Sequence, residues 1–190
     1  MALAEKELAM PGLPEAEEPE DFEPRPLLWS KEQYYKMADL GWFRDVRVEL
    51  MEGEIIQMSA ISSGHWKSTI LVGQVMRGIF DKGYTVAEQT SFDGGRKSEP
   101  QPDLAVYEGD VRDFNAQPTY ALLVVEVSKS TLTYDRTRKA ALYASRDIQD
   151  YWIVNLRNNV LEVRRQPTTL PGQPADYQSL QTLTAADSIA

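Results

Sequence analysis

The sequence predicts an α/β domain in which helices flank a mixed β-sheet, with an extra N-terminal β-hairpin in front of it. Some segments repeat apolar residues at helical spacing, and several short segments are rich in β-branched and aromatic residues. One helical segment links two strand segments, between Val127 and Tyr151. Such a connection is a crossover, so the sheet should contain a parallel pair and carry helices on both faces.

The chain divides into an acidic tail, residues 1–26, and a single domain, residues 27–190. The tail is rich in Pro and Glu and holds few apolar residues, so it cannot offset its own ordering entropy and is predicted to be disordered. The remaining length suffices for one well-packed core but not for two.

The domain should begin with a helix and a hairpin. Ser30 is a predicted N-cap, and Gly41 is the predicted end of the first helix. Residues 46–58 place apolar side chains on both sides of Glu52 and Gly53, which predicts two short strands that turn there.

The central part of the chain should form a helix and three strands. Apolar residues at helical spacing follow Ser62 and Ser63 and stop before Gly83, which predicts a core-packing helix. The predicted strands are Tyr84–Phe92, Pro102–Tyr107 and Tyr120–Val127.

The last part should supply the crossover helix and further strands. Thr131 or Thr133 could cap a helix from Tyr134 to about Arg146. The predicted strands that follow are Tyr151–Asn155 and Val160–Arg164, with Leu180 and Leu183 as edge-strand contacts.

Several classes of protein are excluded by composition. The chain has no Cys and a single histidine, His65, so thiolate chemistry, histidine metal sites and catalytic triads have little to build on. The turn at Gly94 and Gly95 lacks the spacing and the following helix of a phosphate loop. No apolar run is long enough to span a membrane, and no secretory signal is recognisable, so we expect a cytoplasmic protein with no membrane partner.

Two acidic residues stand at strand ends that should meet. Asp103 starts one predicted strand and Glu126 ends the next, and antiparallel neighbours bring such ends together. Glu126 follows an apolar run typical of a strand covered on both faces, so its carboxylate must be paired or bind metal. Clustered carboxylates suit Mg²⁺. A buried acid in a salt bridge explains Glu126 equally well.

Basic residues could complete this site. Lys139 lies on the helix that follows Glu126, where its ammonium could position a metal-bound water and stabilise charge on an attacked phosphate. An Asp135–Lys139 surface pair is the alternative, because the two residues are four apart on one helix. His65, at the start of a helix, could contact substrate or only cap and pack.

The chain resembles the Uma-two family of restriction endonucleases, which belongs to the PD-(D/E)XK nuclease superfamily. The motifs that carry the resemblance, over residues 27–165, are Glu49-Leu-Met-Glu-Gly53-Glu-Ile-Ile, His65, Pro102-Asp103, Val124-Val-Glu126-Val-Ser128, Asp135 with Lys139 and Tyr143, and Tyr151-Trp-Ile-Val. It implies a restriction-endonuclease-like fold in which Asp103, Glu126 and the Val127 carbonyl hold Mg²⁺, with Mn²⁺ as a substitute. Glu49 and His65 would lie near the site.

One position departs from the superfamily pattern, which places Lys two residues after the Glu, where this chain has Ser128. The family resemblance makes Lys139 the replacement. Lys129 is the competing candidate, although its neighbour Ser128 should share the strand face of Glu126 and Lys129 should point to the other.

The resulting expectation is a Mg²⁺-dependent endonuclease that hydrolyses DNA, with Asp103, Glu126 and Lys139 as catalytic residues and Glu49 assisting. A homodimer would suit cleavage of two strands. The net charge is −9, of which residues 1–26 carry −6, so nonspecific DNA binding should be weak. The alternatives are an inactive nuclease-like binding or assembly module and a hydrolase acting on RNA or another phosphate ester.

Overall fold

A computed structural model of the chain describes residues 23–189. Residues 1–22, which form most of the predicted acidic tail, lie outside the described residues, so the disorder of the tail stays a prediction. The helices are α1 (Lys31–Asp39), α2 (Ser63–Ile79) and α3, which consists of Leu132–Tyr134, the π-helical turn Asp135–Lys139 and Ala140–Ser145. The strands are β1 (Val48–Met51), β2 (Glu54–Gln57), β3 (Tyr84–Glu88), β4 (Leu104–Glu108), β5 (Leu123–Ser128), β6 (Asp150–Asn155), β7 (Val160–Thr168) and β8 (Asp176–Leu183).

The first helix begins and ends where the sequence predicts. The Ser30 hydroxyl accepts a hydrogen bond from the Gln33 backbone N–H, and the Gln33 side chain accepts one from the Ser30 N–H, which is a complete capping box. Gly41 follows the helix with φ +80°. Tyr34 packs against Val48 and Leu50, so α1 lies on one face of the β1–β2 hairpin.

A six-stranded sheet forms the centre of the molecule, in the order β3-β4-β5-β6-β7-β8. Strands β5 and β6 are parallel and the other neighbouring pairs are antiparallel. Helix α3 is the crossover between β5 and β6, as the sequence predicts. The β1–β2 hairpin forms a separate two-stranded sheet, so the predicted fold class and the extra hairpin are confirmed.

Helices cover both faces of the sheet, as expected. On one face Met76 of α2 packs with Val125 and its neighbours, and on the other Tyr143 of α3 packs with Val124 and Tyr151. All six residues of β5 are buried. The strand that ends in Glu126-Val-Ser128 is therefore covered on both faces, which is why any polar side chain it carries must find a partner inside the protein.

Some predicted element boundaries are wrong. Strand β3 stops at Glu88, because Gln89 adopts a positive φ of 49°. Helix α3 starts earlier than Tyr134, with Thr131 at the N-cap position but without a capping bond from its side chain. Thr133 lies within the helix. Strand β7 continues beyond Arg164 to Thr168 and pairs along its length with β8.

Among residues 23–189, no helix is both long enough and apolar enough to cross a membrane.

Candidate active site

Asp103 immediately precedes β4. The sheet register places it beside the end of β5. Leu104 pairs with Val125, so the preceding residue, Asp103, comes opposite Glu126. Its Oδ2 accepts a hydrogen bond from the Val127 N–H at 2.8 Å, and its Oδ1 lies 2.9 Å from His65 Nε2. Burial by itself raises the pKa of Asp103, but the bonds from His65 and Val127 outweigh burial and leave it below its usual range.

Glu126 is buried in β5 and meets two donors from α3. Its Oε1 lies 2.9 Å from Lys139 Nζ and accepts a hydrogen bond from the Tyr143 hydroxyl at 3.0 Å. Both bonds fall on the same oxygen, so among the described residues Oε2 has no hydrogen bond of its own. Because Glu126 also lines a cavity, Oε2 is the oxygen that can serve a ligand.

Lys139 is buried, with 2% of its surface exposed, and lies between two carboxylates. Its Nζ is 2.9 Å from Glu126 Oε1 and 3.4 Å from Glu49 Oε1. The alternative of an Asp135–Lys139 surface pair is therefore wrong, since Asp135 is also buried. Lys129 lines the same cavity but is exposed and contacts neither carboxylate, so of the two candidate lysines only Lys139 reaches Glu126.

Glu49 reaches the site from the hairpin. Side chains alternate along β1, so Val48 and Leu50 face α1 while Glu49 faces the opposite way. The Glu49 side chain is fully buried, and its Oε2 has no hydrogen-bond partner among the described residues. A buried carboxylate oxygen without a partner costs free energy, so this atom marks a place for a water or a ligand.

Among the residues that line the cavity, Glu49, Asp103, Glu126 and Asp135 are buried acids and Lys139 is the one buried base. Burial raises the pKa of Glu126 well above its usual value, more than the nearby Lys139 lowers it. Burial raises the pKa of Glu49 and Asp135 too, again against the effect of Lys139. Burial opposes the charge on Lys139, but the carboxylates outweigh it and raise the lysine pKa. Lys139 is thus held as an ammonium by a cluster of acids that compete for it.

All five predicted site side chains line one cavity of about 310 Å³. Its lining residues are Arg47, Glu49, Met58, Ser59, Ala60, Ile61, Ser62, His65, Gln101, Asp103, Glu126, Lys129, Ser130, Thr131, Asp135 and Lys139. Within residues 23–189, no group of three or more His, Asp or Glu side chains is arranged to hold a metal unaided. A cation here would have to complete its coordination with backbone carbonyl oxygen and water.

Sequence reasoning assigned no role to two residues of the site. Tyr143 lies four residues after Lys139, one helical turn away, and this spacing could have indicated that both reach Glu126. Arg47 also lines the cavity, and no signal in the sequence distinguishes it from other cations.

The fold resembles that of a protein of known structure. The solved structures include a match described as a putative nuclease belonging to DUF820 from Anabaena variabilis ATCC 29413, with a TM-score of 0.57 and 15% identity, covering 77% of this chain and 81% of that one. At this identity the likeness concerns the fold. No curated protein matches the sequence. The profile of the family described as "Uma2: Putative restriction endonuclease" matches residues 31–190, which is most of the chain. The chain therefore belongs to the Uma2 family.

Proposed function

We propose that the protein is a divalent-metal-dependent endonuclease that hydrolyses DNA phosphodiester bonds. The main observation in support is that Asp103 and Glu126 share one cavity with Lys139. The buried ammonium of Lys139 lies 2.9 Å from Glu126. Carboxylates that meet a lysine in this way suit metal-assisted attack of water on a phosphate. The description of the Uma2 family supports nuclease function in general.

The donor set fits a hard, hydrated cation. Asp103 and Glu126 supply carboxylate oxygens, and the Val127 N–H bonds to Asp103. The N–H and C=O of a strand residue leave from the same edge, so the Val127 carbonyl is directed towards Asp103 as well. Mg²⁺ binds such oxygens and keeps several waters, and Mn²⁺ accepts the same ligands. When bound, the ion would supply an activated water and Lewis-acid stabilisation of the phosphate.

The protein's own groups would orient the reactants. The Lys139 ammonium would hold the attacking water and stabilise negative charge that develops on the phosphate oxygens. Glu49 contacts Lys139 and would fix its position, acting on the reaction through the lysine. His65 hydrogen-bonds Asp103 and lines the cavity, so it would orient that carboxylate and contact substrate.

The surroundings of the cavity favour a polymer over a small phosphate ester. Arg47 and Lys129 line the cavity, and among the described residues neither forms an ion pair. A neighbouring, more open groove shares Ser130 and Thr131 with the cavity. Thr133 and Thr137 add two further hydroxyls to the lining of this groove. Hydroxyls and cations beside a reaction centre are typical contacts of a nucleic-acid backbone.

The test is nicking of supercoiled plasmid DNA with Mg²⁺ or Mn²⁺ at low salt, where weak binding is least penalised. The wild type should nick the plasmid, and Asp103→Asn and Glu126→Gln should each lose at least about 100-fold in rate. Glu99→Gln is the matched control, because Glu99 is also a buried acid but does not line the cavity. Loss of activity in that control as well would attribute the losses to misfolding and not to the site.

Two rivals keep the same fold. The acidic net charge of −9 favours an inactive binding or assembly module, which would neither nick DNA nor bind metal. A hydrolase of RNA or of another phosphate ester would bind metal without nicking DNA. A homodimer stays a proposal, to be tested by sedimentation of the purified protein.

A further inference from the structure

A second concavity, of about 510 Å³, lies at the end of α3 that is remote from the catalytic cavity. Its lining residues are Ser30, Glu52, Gly94, Gly95, Arg96, Lys97, Ser98 and Arg146. No residue lines both cavities. Arg146 follows Lys139 by seven residues, which is about 10 Å along a helix axis, so the two places are separate.

Three cations line this second concavity. Arg96, Lys97 and Arg146 form no ion pair among the described residues, in contrast to Lys139 in the catalytic cavity. Burial raises the pKa of Asp93, but Lys31, the Gly95 N–H and Arg146 lower it, so Asp93 offsets part of the charge of Arg146 while Lys31 also engages it. Asp93 lies 2.5 Å from Lys31 and accepts the Gly95 N–H at 2.9 Å. Glu52 lies 3.6 Å from Arg138. Positive charge is therefore in excess here, on a chain whose net charge is negative.

The glycine turn shapes the floor of the concavity. Gly95 has φ +98°, and a Cβ there would lie 3.3 Å from Arg146 Nη1. The guanidinium thus rests against bare backbone, at a position that disfavours any other residue. The turn lacks the sequence of a phosphate loop, and the positive charge that surrounds it comes from Arg96, Lys97 and Arg146 instead.

We propose that Arg96, Lys97 and Arg146 form a binding site for a phosphate group, carried by a polynucleotide or present as free phosphate or pyrophosphate. Each guanidinium group can bind two phosphate oxygens at once, and the lysine adds a point charge. Arg96, Lys97 and Arg146 line the concavity without an ion pair to a described residue, so an anion is the group that would balance their charge. The site does not depend on the proposed nuclease activity, because it shares no residue with the catalytic cavity.

The test uses the full chain in EDTA, so that catalytic metal plays no part. The variant Arg96→Gln/Lys97→Gln/Arg146→Gln is compared with Arg25→Gln/Arg44→Gln/Lys82→Gln, which removes three exposed cations that line neither cavity. The two variants have equal net charge, so a difference in binding reports the location of the cations and not the total charge. Thermal unfolding of both variants verifies that they fold.

Two ligands separate the sources of phosphate. Binding of a fluorescein-labelled DNA duplex is followed by anisotropy at several salt concentrations, and binding of pyrophosphate by calorimetry. If the phosphate belongs to a polynucleotide, the first variant binds the duplex at least about tenfold more weakly than the control variant, and its log K falls less steeply with log salt, by about two in slope. If the phosphate is free, the first variant loses pyrophosphate binding while both variants bind the duplex alike. Equal binding of both ligands by the two variants, or no binding by the wild type, would overturn the proposal.

Discussion

Lys139 balances the charge of the acidic cluster, and its removal should show how much the fold depends on it. Glu49 and Glu126 both contact its ammonium, and all three side chains are buried. Removing one partner of a buried ion pair leaves the other charge uncompensated. We expect Lys139→Met to lower the free energy of unfolding by about 3–5 kcal/mol at pH 7, measured by urea denaturation.

The matched control is Lys129→Met, because Lys129 lines the same cavity but is exposed. It should change the unfolding free energy by less than about 0.5 kcal/mol. Equal stabilities of Lys139→Met and Lys129→Met would show that the buried lysine does not balance the acids.

Glu126→Gln should have an effect that changes with pH. Burial raises the pKa of Glu126 in the folded protein above the value of 4.5 that it has when exposed. A carboxyl with a raised pKa contributes its full stability below the pKa of the unfolded state, and that contribution is lost as pH rises through the folded pKa. The Gln side chain does not titrate, so the variant does not lose stability in this way as pH rises. The free energy of unfolding of Glu126→Gln relative to wild type should therefore rise between pH 5 and pH 8 in urea titrations.

Glu162→Gln provides the opposite case. Burial raises the pKa of Glu162, but the hydrogen bonds from Arg136 and Asn155 outweigh burial and lower it. Its contribution is present above the pKa of the unfolded state, so the cost of this substitution should be constant between pH 5 and pH 8. A parallel pH response of the two variants would contradict the assignment.

Tyr143 should act as a positioning residue for Glu126. Its hydroxyl and Lys139 both bond to Oε1 of Glu126, which leaves Oε2 for a ligand. Tyr143→Phe removes one of these bonds, so the carboxylate is held less firmly and its charged form is less stabilised. Calorimetry at pH 7 should show several-fold weaker Mn²⁺ binding, with a stability loss of about 1 kcal/mol.

Tyr151→Phe separates positioning from packing. Tyr151 is equally buried, and its hydroxyl donates to the Asp135 carbonyl, not to Glu126. This variant should lose similar stability and keep its Mn²⁺ affinity. If both tyrosine variants weakened the binding of Mn²⁺ equally, Tyr143 would have no special role.

At the level of residues, the sequence predicts the acids better than the environment of the lysine. Asp103 and Glu126 follow from strand ends that meet, and the structure brings them together. The burial of Lys139 and Asp135 does not follow from their spacing, since the same spacing describes an exposed pair. Lys139 meets Glu49 of the distant hairpin, and the Asp135 carbonyl accepts a hydrogen bond from Tyr151 of β6. These are tertiary contacts that the local sequence pattern does not contain.

The β1–β2 hairpin is the element that brings Glu49 to the site, and its turn tolerates little change. Gly53 has φ +89°, and a Cβ there would lie 2.7 Å from Leu28 Cβ. We expect Gly53→Ala to cost more than the roughly 1 kcal/mol of a strained backbone alone, as measured by urea denaturation. The control is Gly172→Ala, where φ is +75° and nothing lies within 4 Å of the added Cβ. Equal costs would mean that Leu28 moves aside freely.

Helix α3 shows which part of an element a sequence can predict. Its existence follows from the apolar spacing after Tyr134, and its role as crossover follows from the strands on either side. The π-helical turn Asp135–Lys139 does not, because an i to i+5 hydrogen-bond pattern has no distinct signature in the apolar spacing. Strand β8 is predicted only through Leu180 and Leu183, both of which pair with β7, because most of its other residues are exposed or partly exposed polar residues.

On the scale of the whole molecule, the buried acids of the cavity at the candidate active site predict how the protein responds to metal. Four buried carboxylates, those of Glu49, Asp103, Glu126 and Asp135, line a cavity with one buried ammonium. Such an excess of buried acid destabilises the folded state, and a divalent cation would relieve it. A ligand that binds only the folded state at 100 times its Kd stabilises it by about 2.7 kcal/mol. Thermal unfolding should therefore shift upward when Mg²⁺ or Mn²⁺ is added.

The shift should also depend on pH and on Asp103. Because the pKa of Glu126 is raised, a proton competes with the metal for its carboxylate, and the shift should shrink as pH falls from 8 to 5. Asp103→Asn should abolish the shift, whereas Asp176→Asn, an exposed acid on β8, should leave it unchanged. A metal-induced shift that persists in Asp103→Asn would place the cation elsewhere on this acidic chain. A shift that grows as pH falls would exclude carboxylates as its ligands.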